Sequence, residues 1–423
     1  MSIAGLFANP RMRFALIAFA FAIKAVVMTL TPMSLDLSFV MSKQVAPWAM
    51  TPYGELLSGI VAFWRVIPVD HPDIGSVWTT HLFEPSVGLY VLVFLVKLPL
   101  LLLDGLTGLV LQKISFQLRL KDDGFVLLLW FLNPYVTLLN EMWAAIDLLP
   151  TLLVLLAVFL ALRGKVVSSA LALGTGVAAK LFPVLLIPAF LPGKKRGFSI
   201  LQISTGVLGA GAYFAWVSHA GYGPWLQLTQ FDVYTQYFNE FTAQTTPLST
   251  SGILEAHATM LGVATLVLVA TYFLILKFGN NQVILLDSAL LTLLLLLAFT
   301  NWSPQFIIWL IPLLTVQAVR DRRSSALMTI ILTSAFIVSL LAFPSYFTAN
   351  GNGFFFFPSQ NNETFKYAAT TLDILARDDL VQYIAVPIAR AVFSSTCLVY
   401  SLKLVQRNTR LLSTFLSYFT PPR

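Results

Sequence analysis

The sequence has little charge and a single cysteine. Only 11% of the 423 residues are charged, whereas soluble domains carry about a quarter. Cys397 lies in an apolar stretch, which excludes an intramolecular disulfide and a cysteine-based metal site. The sequence contains no Walker loop, no dinucleotide-binding fingerprint and no His-Glu-x-x-His motif. Nucleotide-dependent chemistry and zincin-type hydrolysis therefore have no motif to support them.

The chain is rich in apolar residues. Hydrophobic residues make up 57% of it, in long Leu-rich runs that recur throughout. Such runs are typical of membrane spans, and because they are continuous and do not alternate, they indicate helices. The net charge of +7 could suggest a nucleic-acid partner, but the positive-inside bias of membrane proteins explains it more simply. We therefore expect an all-α, polytopic membrane helix bundle with no nucleic-acid partner.

The apolar runs predict about twelve segments in one transmembrane domain, residues 1–423. The first, after Arg11 and Arg13, is expected to be a retained helix, because Lys24 interrupts it and no small-x-small cleavage site comes after it. Residues 55–67 predict a short amphipathic helix. Apart from the segment at 166–192, helices are expected at about 14–31, 87–110, 124–139, 148–162, 198–217, 258–277, 283–300, 306–319, 324–343 and 382–402.

Charge sorts between the predicted turns. The short turns on one side are basic. The loops and turns on the other side hold 14 of the 19 acidic residues, Glu141 and Asp147 among them, and all four histidines. The positive-inside rule places the basic turns, and both termini, in the cytoplasm. The loops at 32–86, 218–257 and 344–381 are then extracytoplasmic, and candidate chemistry lies on that face.

Residues 166–192 predict a broken hairpin. Basic residues flank this stretch on both sides, yet 27 residues are too few for two full spans of about 20 residues each. Pro183 disfavours helix at Phe182, so we expect a break near Lys180. A lysine between apolar helix halves usually has an anionic partner, for which a lipid phosphate is the simplest candidate. Snorkelling of Lys180 to the interface is the alternative.

Asp36, the first acid of the chain, lies directly after the first apolar segment. A carboxylate at the end of a membrane helix can act as general base on a hydroxyl, although an acid that merely faces water is common there. Asp147 stands at the entrance of the helix at 148–162, where N-terminal capping is a sufficient alternative explanation.

Further polar positions could line a pocket or bind phosphate. Asn301 and Gln305 belong to an Asn-Trp-Ser-Pro-Gln turn, which could be turn punctuation or pocket lining. The other in-membrane cations are Lys24, Lys97 and Arg390. Loosely spaced groups in the first long loop could bind a metal, but a solvated loop explains them better: Asp70, His71, Asp73, His81 and Glu84.

The order of these motifs resembles a known family. The acid Asp36 is followed by Thr51-Pro-Tyr53, Asn133-Pro, Trp143, Asp147-Leu-Leu-Pro, Gly174-x-Gly-x-x-x-Lys180-Leu-Phe-Pro and Ser303-Pro-Gln-x-x-x-Trp309-x-x-Pro312. Over roughly residues 14–320 this order resembles the GT-C superfamily of membrane glycosyltransferases. It is most similar to the polyprenol-phosphate-mannose-dependent α-mannosyltransferases, which include the bacterial phosphatidylinositol-mannoside and the GPI type I enzymes.

The resemblance implies that Asp36 is the catalytic base and that the active site lies on the outer face. From their positions in the sequence, we expect Lys180 with Arg390 to bind the donor phosphate. We expect the substrate pocket to include Tyr53, Trp143, Asp147, Asn301 and Gln305. The donor would be a polyprenyl-phosphate sugar, such as dolichyl-phosphate mannose, and the acceptor a hydroxyl of a glycolipid or glycan.

The resemblance leaves cofactor use and cell membrane open. Many relatives carry two acids one residue apart in the first loop, whereas Asp36 is flanked by Ser34 and Ser38. No cofactor is therefore implied with certainty, and a divalent metal stays an option. The membrane would be the plasma membrane in a prokaryote and the endoplasmic reticulum in a eukaryote.

Two other classes of protein stay open from the residues alone. A multi-pass transporter or lipid-linked-sugar flippase would share the helix count and the broken hairpin, but it predicts an inverted repeat and pathway charges that reach both faces. No repeat stands out, and the loop polarity is one-sided. A non-catalytic assembly subunit predicts that Asp36 can be replaced without loss of activity.

Charge sorting generates a test of sidedness. A single cysteine introduced at Lys195, in a Cys397→Ser background, should resist an impermeant thiol reagent on intact cells, because the basic turn is expected in the cytoplasm. A cysteine at Ser38 should react. Labelling of residue 195 before permeabilisation would contradict the topology.

Overall fold

The computed structural model describes residues 10–31, 59–71, 86–120, 123–142, 144, 147–190, 196–219, 266, 269, 284–299, 304–321, 325–342 and 380–408. Within these residues every regular element is a helix and no strand occurs. The predicted all-α fold class is thereby confirmed. The chain is an all-α membrane protein whose apolar helices pack around a shared core.

The α-helices succeed one another along the chain with short 3-10 and π-helical pieces between them. The α-helices are α1 Pro10–Leu30, α2 Val87–Gln117, α3 Asp123–Phe131, α4 Pro134–Val136, α5 Leu148–Leu162, α6 Val166–Ala179, α7 Arg196–His219, α8 Ile284–Phe299, α9 Ile307–Arg320, α10 Ser325–Ala342 and α11 Val386–Asn408. The π-helices are Thr137–Met142 and Val381–Ala385, and the 3-10 helices are Phe182–Phe190 and Pro304–Phe306.

Three of the described helices, α1, α2 and α11, are long and apolar enough to cross a membrane, and the α3–α4 pair would make a fourth as one bent span. Shorter apolar helices, including α5, α6 and α9, complete the bundle. The predicted total of about twelve stays a prediction, since the segment expected at 258–277 lies almost wholly outside the described residues.

The single helix predicted at 124–139 is wrong. The chain bends by 49° between α3 and α4. Pro134 has no N–H to continue the ladder, and the Asn133 side chain accepts a hydrogen bond from the Tyr135 backbone N–H at 2.9 Å. Asn133 therefore starts a new helix, which continues as the π-helix Thr137–Met142. The bend carries residues 140–142 into the bundle, where all three are buried.

The predicted break in residues 166–192 is confirmed. The Ser169 hydroxyl donates to the Ala157 carbonyl, whereas Gly176 lies against Leu153, so α5 and α6 run antiparallel. Ser169 in turn accepts a hydrogen bond from the Gln202 side chain of α7. Further along α6, Gly174 lies against α7.

The contact between Gly174 of α6 and α7 shows the direction in which α7 runs. Gly174 approaches Thr205 and Gly209, which come after Gln202, so α6 and α7 run parallel. The chain between them must therefore return along the bundle. The nine-residue 3-10 helix Phe182–Phe190 spans this return, at about 2 Å of rise per residue.

The bundle has a basic end opposite the start of α5. Asp287, on α8, accepts hydrogen bonds from Gln317, Arg320 and Arg407, so the last turns of α9 and α11 meet there. The first turn of α9 lies at the other end, because Trp309 contacts Asp147 before α5. The contacts thus separate the basic turns from the end that carries Asp147.

The chain before α2 is anchored by residues 59–71. Residues 59–64 are helical, within the helix predicted at 55–67. The indole of Trp64 is buried and donates to the Gly88 carbonyl at 2.9 Å. Hydrogen bonds from the Ser86 hydroxyl and the Gly88 backbone N–H lower the pKa of the Asp70 carboxyl. These contacts fix the end of the first long loop to the start of α2.

The close α6–α7 packing generates a stability prediction. A Cβ at Gly209 would lie 2.2 Å from the Gly174 carbonyl oxygen, so Gly209→Ala should force the helices apart and cost about 1–3 kcal/mol. A Cβ at Gly211 would have no atom within 4 Å. Gly211→Ala, the matched control, should be neutral or gain up to about 1 kcal/mol of helix propensity. Thermal unfolding in detergent measures both, and equal midpoints would contradict this packing.

Candidate functional site

Lys180 and Asp147 come together because α6 ends where α5 begins. The Lys180 Nζ lies 2.8 Å from Asp147 Oδ2. Lys180 is the first residue after α6 and has an extended backbone (φ −159°, ψ 140°). The next helix begins at Phe182 as a 3-10 helix, although Pro183 was expected to disfavour helix at that residue. An ammonium just past a helix C-terminus also complements the helix dipole. The side chain of Asp147 is fully buried, whereas that of Lys180 is 27% exposed.

Capping is not the role of the Asp147 side chain. Asp147 occupies the N-cap position of α5, but its carboxylate makes no capping hydrogen bond. Its Oδ2 takes the ammonium of Lys180, and its Oδ1 accepts from the Trp309 indole N–H at 2.8 Å. The capping explanation is therefore wrong. The buried carboxylate joins α5, the end of α6 and the first turn of α9.

Aromatic rings pack beside this ion pair. The Phe182 ring stacks on Trp309 at 3.8 Å between centroids, and the Phe306 ring stacks on it at 4.4 Å. Two rings cannot share one face at these distances, so both faces of the indole are covered. The Lys180 Nζ lies 5.7 Å from the Phe306 centroid, within cation–π range. Gln305, the residue before Phe306, is buried in the 3-10 turn.

A second buried cluster links α1, α2 and the π-helix. Lys24 Nζ lies 2.8 Å from Asp104 Oδ2 and 3.4 Å from the carboxylate of Glu141. All three side chains are at most 1% exposed. Glu141 was expected in an outer turn, and the bend at Pro134 is the reason that it lies inside. Because Lys24 is enclosed and paired, it is not presented to a lipid phosphate.

Among the residues that the structure describes, Lys97 is the other fully buried cation. Its Nζ contacts the carbonyl oxygens of Thr31, Glu141 and Met142 at 3.0–3.1 Å and the Thr31 hydroxyl at 3.0 Å. These acceptors belong to the end of α1 and the end of the π-helix. Lys97 therefore binds the backbone carbonyls at these two helix ends, and a role as phosphate partner does not fit its position.

The other predicted site residues divide between the described and the undescribed parts of the chain. Arg390 lies on α11, which packs mainly against α8 and α10. Its side chain is half-buried. Four predicted residues lie outside the described residues: Asp36, Tyr53, Trp143 and Asn301. The structure thus brings together Lys180 and Asp147, and it places Gln305 next to Phe306 of the same site.

Three residues of this site were not assigned from sequence, namely Trp309, Phe182 and Phe306. Trp309 belongs to the Ser-Pro-Gln motif, but its bond to Asp147 spans 162 positions. Phe182 was notable in the sequence only as the residue before a proline. The spacing Lys180-Leu-Phe182 could have signalled an aromatic beside the lysine, whereas nothing local could have identified Trp309.

The described site offers one cation at the edge of an enclosed polar and aromatic cluster. The ammonium of Lys180 has three N–H donors, one of which is directed at Asp147, and its exposed part could meet an anion. Among the described residues, no three His, Cys, Asp or Glu side chains are grouped closely enough to hold a metal ion. The chemistry that these residues support is anion stabilisation by a fixed cation.

Comparison with known proteins provides the family. No curated protein matches the chain. The profile of glycosyltransferase family 87 matches residues 76–304, more than half of the 423 residues. The matched region contains Lys97, Asp104, Glu141, Asp147 and Lys180, that is, most of both buried clusters. The chain therefore belongs to glycosyltransferase family 87 and is a membrane glycosyltransferase.

Proposed function

We propose that this glycosyltransferase moves a hexose, specifically mannose, from a polyprenyl-phosphate donor to a hydroxyl of a glycolipid or glycan. The observation that carries the proposal is the Lys180–Asp147 pair, a partly exposed cation held by a buried carboxylate inside a membrane glycosyltransferase. A lipid-linked donor also accounts for the missing nucleotide-binding motifs. The GT-C-like motif order supports mannose as the sugar.

In the proposed reaction Asp36 removes the proton of the acceptor hydroxyl. The hydroxyl oxygen attacks the anomeric carbon of the donor, and the bond from that carbon to the phosphate oxygen breaks. Polyprenyl phosphate leaves with the electron pair. Lys180 stabilises the negative charge that grows on the leaving phosphate, assisted by Arg390. Tyr53, Trp143, Asp147, Asn301 and Gln305 would line the pocket for the sugars.

The proposed site faces the extracytoplasmic side of a multi-pass protein. The contacts separate the end that carries Asp147 from the basic end at Arg320 and Arg407, and basic turns favour the cytoplasm. The donor would therefore be used on the outer face of the plasma membrane in a prokaryote, or on the lumenal face of the endoplasmic reticulum in a eukaryote.

Replacement of the base should slow the chemical step. Asp36→Asn keeps the shape of the side chain and removes its basicity, so kcat should fall by roughly 10²–10⁴-fold. Ser38→Ala, two residues away, is the matched control and should transfer at nearly the wild-type rate. The assay measures transfer of radiolabelled mannose from polyprenyl-phosphate mannose to glycolipid acceptors, with purified enzyme in lipid vesicles.

The same assay separates the proposal from its rivals. Wild-type turnover by folded, inserted Asp36→Asn would exclude Asp36 as the base, with Glu55 and Asp147 next to test. Movement of labelled donor across the bilayer without transfer would instead indicate a flippase.

Lys180 should act on the donor alone. Lys180→Met removes a charge-assisted contact worth about 1.5–3 kcal/mol, so kcat/KM for the donor should fall by roughly 10–100-fold. The acceptor KM should hardly change. If Lys180 binds phosphate equally in the ground state, donor KM carries the loss, and if it acts mainly on the leaving group, kcat does.

Lys403→Met is the matched control for Lys180. Lys403 pairs with Asp321 at 3.2 Å at the basic end, and both side chains are partly exposed. Its loss should cost less than about 1 kcal/mol, whereas Lys180→Met leaves the buried Asp147 without its cation and should cost about 3 kcal/mol. Activity is therefore normalised to folded protein. Unchanged donor constants in folded Lys180→Met would contradict the phosphate role.

A further inference from the structure

We propose that Lys97 is a positioning residue for glycosyl transfer. It joins the chain segment that leads to Asp36 to the segment that leads to Asp147. The inference rests on the proposed function, because that function makes Asp36 the base and Asp147 the partner of the phosphate-binding lysine. Lys97 would act through these two segments, without contact to substrate.

The ammonium of Lys97 donates hydrogen bonds to the C-terminal ends of two helices. Its Nζ meets the Thr31 carbonyl just after α1, and the Glu141 and Met142 carbonyls that end the π-helix. The last carbonyls of a helix have no partner N–H within it. A cation there satisfies them and complements the helix dipole. One side chain therefore fixes the end of α1 against the end of the π-helix.

Both of these helix ends lead, over the same short length of chain, to a residue of the proposed site. Asp36 comes five residues after Thr31, and Asp147 comes five residues after Met142. Five residues of peptide reach at most about 17 Å. Lys97 thus holds the two points from which both functional segments depart. A shift between these points would change the placement of the base relative to the phosphate site.

A second cation, Lys24, also connects α1 to the π-helix, and α1 to α2. Lys24, on α1, binds the carboxylate of Glu141, whereas Lys97, on α2, binds its carbonyl. Lys24 is also paired with Asp104 on α2. The side chains of Lys24, Lys97, Asp104 and Glu141 are at most 1% exposed, so water does not compete for these bonds and they are electrostatically strong.

The alternative is that Lys97 only stabilises the fold. A purely structural lysine would lower the amount of folded enzyme without changing the turnover of the part that folds. A positioning lysine would lower turnover per folded molecule, because a misplacement of about 1 Å can cost about 100-fold in rate. The two roles therefore differ in kcat of the folded fraction and in where local order is lost.

Lys97→Met is the direct test, with purified full-length enzyme in lipid vesicles. We expect amide hydrogen exchange to increase together in residues 26–31 and 137–142. We also expect kcat per folded molecule to fall by about 100-fold, with the donor KM nearly unchanged. Asp287→Asn is the matched control, since Asp287 is a buried, charge-paired residue at the opposite end of the bundle. It should lower stability while leaving kcat and both exchange segments unchanged.

Thr31→Val is the second variant, in case Lys97→Met does not fold. It removes the hydroxyl that lies 3.0 Å from the Lys97 Nζ and should lower kcat by about fivefold, the worth of one hydrogen bond. Exchange should rise in the same two segments.

Two results would overturn the inference. One is wild-type kcat in every variant that folds, and the other is exchange that is unchanged in both segments. The exchange readout does not depend on which residue is the base. If Asp36→Asn were active while exchange rose as expected in Lys97→Met, Asp36 would not be the base. The role of Lys97 in holding the end of α1 against the end of the π-helix would still be supported.

Discussion

The ion pair between Lys180 and Asp147 determines how the described site is assembled. A buried carboxylate in a membrane bundle needs a partner, and Asp147 obtains one cation and one indole N–H. Meeting that requirement brings the start of α5, the end of α6 and the first turn of α9 to one point. The end of α6 at Ala179 places Lys180, the next residue, at this point with an extended backbone.

The same requirement organises the rest of the bundle. Lys24 pairs with Asp104 and Glu141 between α1, α2 and the π-helix, and Asp287 pairs with two arginines where α8, α9 and α11 meet. Apolar surface alone gives helices little reason to prefer one neighbour in lipid. Pairing of buried charges, together with the close glycine contacts of α6 and α7, specifies which helices are adjacent.

Local features of this protein were readable from its sequence, and long-range ones were not. Hydrophobic runs located α5 at Leu148–Leu162 as predicted, and Pro183 with basic flanks revealed the broken hairpin. The bend at Pro134 was not predicted from the apolar run, so Glu141 was expected in an outer turn. Lys24 and Lys97 were recognised as unusual cations, but their partners lie 44 to 117 positions away, where periodicity carries no information.

If the donor is a polyprenyl-phosphate sugar and Lys180 binds its phosphate, as proposed, the pairing of Lys180 with Asp147 affects the energetics of turnover. A polyprenyl-phosphate sugar is a phosphodiester with one negative charge, whereas the polyprenyl phosphate that leaves can carry two. A cation already paired with Asp147 would attract the singly charged donor only modestly and would gain more as the second charge develops, which is the differential binding that lowers a barrier. The same carboxylate competes for the ammonium once the reaction is over. Asp147 would then favour release of the spent lipid, so that the enzyme is not held in a product complex.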